Sequence, residues 1–218
     1  HTCPSAKECR TRADRQSGRI KDGPDQTHRC YAAAQEAVFT NTRLARWSNL
    51  EKLRAARTFE GMRKLIVSSL DTLPRRAIVR MHGSGDFFSA DYFRAWMAAA
   101  ACRDEMEFYA YTKELAKWVQ HTVEEGNALP TNVRLVASYG GTHDHYIERF
   151  GLPSAMVVPH PAVASAMDLK IDHDDSLARD KKVNQFALLL HGQQPAGSEA
   201  SKALTAMRQE GISFSYPR

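Results

Sequence analysis

The sequence predicts an α/β fold in which about six parallel strands alternate with helices, as an open barrel or a doubly wound sheet. Three observations predict it. Short apolar runs rich in β-formers recur from residue 76 onward, and helical stretches separate them. Polar, often glycine-bearing segments follow nearly every run. Alternation of this kind builds βαβ units on a parallel sheet, and such folds collect their working groups at the C-terminal ends of the strands.

Residues 1–30 read as irregular, because Gly18, Gly23 and Pro24 interrupt any helix. Residues 33–57 read as a helix whose apolar face is Val38, Leu44, Trp47, Leu50 and Leu53. A second helix spans 58–71, with Thr58 as its N-cap. The strands then fall at 77–82, 107–112, 133–138, 155–158, 185–191 and 212–216. Between them lie helices near 90–102, 113–126, 143–150, 161–168 and 198–210. Residues 1–75 thus form a cysteine-bearing loop and helices packed on a βα-repeat core of residues 76–218, together one domain. Cys102, inside an alanine-rich helix, reads as a buried, inert thiol. Trp47, Trp96 and Trp118 lie on apolar helix faces and read as core.

With 218 residues, 43% of them hydrophobic and 25% charged, the chain has the composition of one full globular core. No apolar run reaches the roughly 18–20 residues of a membrane span, so no membrane partner is expected. No signal peptide is visible, and the expected location is cytoplasmic. The net charge of +5 is unevenly spread. Residues 1–63 hold 13 Lys+Arg against 7 Asp+Glu, and the remainder 17 against 18. The basic excess therefore sits in the N-terminal segment, which points to a nucleic acid partner or to a solvated helical face. There is no Walker-type loop, no HExxH and no GxSxG, so nucleotide hydrolysis and serine-hydrolase chemistry find no support.

Four cysteines are few for a disulfide scaffold in a chain this long. Cys3 and Cys9 are separated by five residues, and Cys30 follows after twenty more. Thiolates bind soft metals, and three of them leave one coordination position open. An iron–sulfur cluster, a structural zinc completed by His28, and unliganded or disulfide-bonded cysteines are all compatible with this spacing.

Two strand ends carry further candidates. Gly83-Ser84-Gly85-Asp86 combines backbone that can approach a ligand closely with a carboxylate for an ammonium or hydroxyl; the duller alternative is a tight turn with Asp86 capping the next helix. His191-Gly192-Gln193-Gln194-Pro195-Ala196-Gly197-Ser198 opens a helix, with Ser198 either its N-cap or part of an anion site. Asp172-His173-Asp174-Asp175 lacks the spacing of a calcium loop and reads as a solvated turn, with a cation site as the alternative. His143-Asp144-His145 reads as a helix start.

Several stretches resemble the gene product 88 family of phage and prophage proteins. They are Cys3-Pro4-Ser5-Ala6-Lys7-Glu8-Cys9, Cys30-Tyr31-Ala32, Val79 to Trp96, Phe108 to Lys113, 171–178 and 186–198. The resemblance covers most of the chain and implies a phage-encoded protein of the host cytoplasm. The order of parts also resembles a radical S-adenosylmethionine (SAM) barrel, which implies a partial (β/α)6 barrel here, although the cysteine spacing differs from that family's CxxxCxxC. This second resemblance implies a 4Fe-4S cluster on Cys3, Cys9 and Cys30 with one iron open to SAM or another small-molecule ligand. It implies that Ser84, Gly85 and Asp86 hold the ligand's amino end. Thr112 and Lys113 would be the polar end of the next strand, and Ser138 the ribose-contacting end of the one after. His191 would lie nearby. The rival expectation is a non-catalytic protein, stabilised by an iron–sulfur or zinc site, that binds nucleic acid through its basic segment.

Overall fold

The computed structural model describes residues 3–212. A small antiparallel hairpin comes first, made of β1 (Arg12–Ala13) and β2 (Ile20–Lys21). Three helices follow: α1 (Tyr31–Val38), α2 (Thr40–Ala56) and α3 (Phe59–Leu70). The repeat then begins with β3 (Ile78–Arg80), α4 (Ala90–Ala101), β4 (Glu107–Thr112) and α5 (Leu115–Val119), which runs into a π-helical turn, Gln120–Glu124. It continues through β5 (Val133–Ser138), α6 (His145–Phe150), β6 (Ser154–Val158), α7 (Pro161–Ala166), α8 (Ser176–Arg179), β7 (Gln185–Leu189) and α9 (Glu199–Gln209).

Strands β3 to β7 are all parallel and lie in strict chain order, β3-β4-β5-β6-β7. A doubly wound sheet reverses its order part way. Monotonic order winds in one direction, and here it gives a curled half-barrel. Five strands of the expected six are seen; the run at 212–216 lies almost wholly outside the described residues. The free edge of β7 is met at one point, where Ile171 bridges to Ala187.

Period-two alternation divides the sheet's two faces. Phe108, Ala110, Leu135 and Ala137 turn to one side and pack under α3, α4 and α6 with Ile66, Phe93, Trp96 and Ile147. Tyr109, Val136 and Phe186 turn to the other and pack with Ala178 of α8. Phe87, Phe93 and Phe108 are wholly enclosed, and each such side chain contributes about 1.5–3 kcal/mol. Trp96 and Trp118 are core, as the sequence indicates.

Three expectations are corrected. The stretch read as one helix over 33–57 is two, broken at Phe39, whose backbone is extended (φ −104, ψ 97). Its supposed apolar face is partly in solvent: Val38 is 64% and Leu44 50% exposed, while the buried residue of α2 is Arg43. The reason is tertiary. The turn of the hairpin meets α2 with a carbonyl rather than hydrocarbon, so the Arg43 guanidinium donates to the Arg15 carbonyl there and to the Glu36 carbonyl of α1, while Arg15 stacks on Trp47. Finally, Cys102 ends α4 and is exposed, not buried.

Candidate functional site

The cysteine-bearing segment lies across the C-terminal ends of the sheet strands, and a set of long-range hydrogen bonds holds it there. Beyond β4, the fully buried carboxylate of Glu114 accepts from the Ser5 backbone N–H at 2.7 Å and the Ser5 hydroxyl at 3.0 Å, and pairs with Lys117. Beyond β5, the Gly140 carbonyl accepts from Lys7 N at 3.0 Å and Glu8 N at 3.1 Å, and Thr142 N donates to the Ser5 carbonyl. Gly140 is needed twice over. Its φ is +90, and a Cβ there would meet the Glu8 carboxylate at 2.9 Å. The loop Cys3–Cys9 is thus fastened to two strand ends.

Cys30 is fastened to the rim as well. Its N–H donates to Thr11 Oγ1 at 3.3 Å, and it occupies the N-cap position of α1 without a side-chain cap bond. Arg29 N donates to Gln194 Oε1, while Gln194 Nε2 donates to the His191 carbonyl, which ties the turn to the loop after β7. The Tyr31 hydroxyl donates to the Gly83 carbonyl at 2.7 Å, in the loop after β3.

The thiols of Cys3, Cys9 and Cys30 are half-buried. Burial raises the Cys9 thiol above its ordinary value, Lys113 pulls it back down, and Cys30 pushes it up again. Cys9, Cys30 and Lys113 are therefore near neighbours. His28 lies near Lys113 too: burial and the charges of Lys113 and His191 push its pKa down to about 4, leaving a neutral imidazole. Its Nδ1 meets Thr27 Oγ1. His191 contacts the Tyr31 ring with centroids 5.4 Å apart, and its Nδ1 meets the Leu189 carbonyl. Among the described residues no three or more His, Cys, Asp or Glu side chains lie together as a ready ligand set. What the two firmly held segments offer is donor chemistry: cysteine thiols and, two residues before Cys30, the neutral imidazole of His28.

Asp86, Thr112, Lys113 and Ser138 are brought together and bonded to one another. Asp86 is buried, and its carboxylate accepts from Thr112 Oγ1 at 2.7 Å, Lys113 N at 2.8 Å and Phe87 N at 2.8 Å. Burial outweighs these bonds and lifts its pKa to about 6. Asp86 does not cap α4; Ser89 does, accepting from Tyr92 N. Lys113 Nζ donates to the Ser138 hydroxyl, the Ser138 carbonyl and the Tyr139 carbonyl, so its three N–H bonds all have acceptors. Gly85 holds φ +78, which releases the loop from β3, and Ser84 beside it is half-buried. Ser198 is a plain N-cap, accepting from Ser201 N.

The acidic run at 172–175 is a tie across the sheet, which the sequence reading missed. Asp172 is buried and accepts from Ala178 N. Asp175, in the left-handed region, accepts from Tyr109 OH at 2.8 Å, Tyr111 OH at 2.9 Å and Arg80 Nη1 at 3.0 Å. Burial, with Asp175 adding to it, pushes both phenols well above their ordinary range. Arg80 also donates to Tyr31 OH, next to Cys30. The alternation of Arg80, Tyr109 and Tyr111 toward one face of the sheet was the available signal. Glu114 was missed too, although it directly follows Thr112 and Lys113. Asp144, at the start of α6, accepts from Gly140 N and Gly141 N and shapes the loop that receives Lys7 and Glu8.

The sequence model of the gene product 88 family matches residues 1–209. No curated protein and no solved structure matches the chain.

Proposed function

The chain belongs to the gene product 88 family, and from that premise we propose that it is a metal-centre protein in which Cys3, Cys9 and Cys30 hold a 4Fe-4S cluster above the C-terminal rim of the half-barrel, with a position left for SAM or another small ligand. The observation that carries this reading is the fastening of both cysteine segments to the loops after β3, β4, β5 and β7. A disordered tail of cysteines would not need four strand ends to hold it. Parallel βα folds place their chemistry at that rim. Cys30 is close enough to raise the Cys9 thiol there.

Each neighbour has a role in this reading. Lys113, a fixed cation near Cys9, favours the thiolate form that a metal requires. Asp86 uses three accepting sites of about four on a carboxylate, and its raised pKa marks a buried anion short of a counter-cation. A ligand ammonium supplies that counter-cation. Ser84 and Gly85 form the loop along which the ligand's backbone-like end lies, and Ser138 and His191 bound the far side. When bound and reduced, a 4Fe-4S cluster supplies one electron to a ligand at its open position.

A zinc site completed by His28 is the second reading, favoured by a neutral imidazole two residues from Cys30. One set of assays separates the two. Protein purified without air should hold about four iron and four sulfide per chain and absorb broadly in the visible. Cys3→Ala, Cys9→Ala and Cys30→Ala should each lose the metal, and Cys102→Ala should keep it. Reduced protein titrated with SAM should then change its EPR signal. One zinc per chain without sulfide would replace the cluster with the zinc site, and a metal-free protein would sink both.

A further inference from the structure

The hairpin that follows Cys9 carries four cations on one face. Its register pairs Arg12 with Lys21 and Ala13 with Ile20. The ladder extends past its turn end on the same register, where Asp14 N donates to the Arg19 carbonyl, and before it Arg10 lies against Gly23 with exposed and buried residues still alternating over 10–13. Residues two apart on a strand share a face. Arg10, Arg12, Arg19 and Lys21 therefore project together, and all four are exposed. Thr11 and Ala13, on the opposite face, are buried against the lobe.

The face carries four cations against one carboxylate, Asp14, which stands opposite Arg19 and whose pKa is lowered by the hydrogen bonds of Ser17 and by the charge of Lys21. Asp14 turns its oxygens onto Gln16 N, Ser17 N and the Ser17 hydroxyl. Asp22 is taken by Arg29 and Gln26. Among the described residues none of the four cations is in an ion pair. Arg12 and Lys21 are direct cross-strand partners, and like charges placed so are destabilising. A ribbon that keeps this arrangement is built for an external polyanion.

We propose that this ribbon binds the phosphate backbone of a nucleic acid. A two-stranded β-ribbon fits the major groove of a duplex, and cations at every second residue along both strands meet a repeating line of phosphates. The hairpin has no exposed large hydrophobic residue, since the first in the chain is Val38, which argues against a lipid surface or an apolar protein partner. The ribbon begins at the residue after Cys9, and Thr11 receives the N–H of Cys30. A bound strand therefore passes beside the cysteines. The inference does not depend on the metal there.

The test is equilibrium binding of labelled oligonucleotides, single-stranded and duplex, across a salt series. Four phosphate contacts give a log–log slope of roughly −3.6 on duplex, a loss of about a hundredfold from 50 to 200 mM salt. Arg12→Ala with Lys21→Ala should cut that slope by about half and the salt-driven loss to about tenfold. Circular dichroism should show both proteins folded, since the substitutions relieve repulsion. Lys182→Ala with Arg208→Ala removes the same charge elsewhere and should leave the slope in place. Equal losses in both double variants would reduce the effect to net charge and overturn the proposal. So would no binding at low salt, or vesicles of phosphatidylserine competing as well as the oligonucleotide does.

Discussion

Glu114 is where the half-barrel holds the cysteine loop, and removing it should release that loop. Its carboxylate has no exposure and serves three donors: Ser5 N–H, Ser5 hydroxyl and Lys117. Glu114→Ala leaves two buried donors and one ammonium without an acceptor. Each orphaned buried donor costs about 1–3 kcal/mol, and breaking a buried charge pair about 3–5 kcal/mol in all. We expect Glu114→Ala to cost about 3–5 kcal/mol of loop docking. Glu114→Gln, which keeps an acceptor for Ser5 N–H, should cost about half as much. The assay has two parts, both in a Cys102→Ala background to remove the exposed thiol. Urea denaturation reports global stability, read at unchanged m. Alkylation kinetics of Cys3 and Cys9 report whether the loop lifts away. If the loop undocks alone, the midpoint moves little and the thiols react much faster; if docking is coupled to the core, both change. Unchanged midpoint together with unchanged thiol reactivity would refute the reasoning.

Two other predictions follow from the same structure. Both ring nitrogens of His82 are sealed without a hydrogen-bond partner, and burial, with Arg80 adding to it, lowers its pKa to about 3. The folded protein keeps His82 neutral while the unfolded chain protonates near 6.5, so its stability contribution is full above 6.5 and drains as pH falls toward 3. From pH 7.5 to 5 that loss is about 2 kcal/mol, and His82→Phe should remove it from the difference between denaturation midpoints at the two values. His28 keeps its own smaller contribution of the same sign. Gly140→Ala should cost more than Gly126→Ala, by about 1–2 kcal/mol. Both glycines have positive φ, but only at Gly140 does a Cβ meet Glu8. Equal costs would mean that the Glu8 contact carries nothing.

Much of the scaffold follows from local chemistry. β4 and β5 form where runs of β-formers predict them, because each run is bounded by turn residues and has only one way to bury itself. α3 starts at its expected cap, Thr58, whose hydroxyl accepts from Gly61 N. The positions of the cysteines, and of the polar segments after the strands, are equally plain from the chain. What each polar group does was decided only when distant segments met. Asp86 faces Thr112 and Lys113 because β4 lies beside β3. Ser5 finds its acceptor 109 residues away in Glu114. Asp175 stops being a solvated turn residue once Arg80, Tyr109 and Tyr111 converge on it. Arg43 is buried because the hairpin turn and α1 bring carbonyls to its guanidinium. Periodicity reports which face of an element is apolar. It carries no information about which donor will stand opposite which acceptor, and desolvation makes that pairing worth more than any local preference.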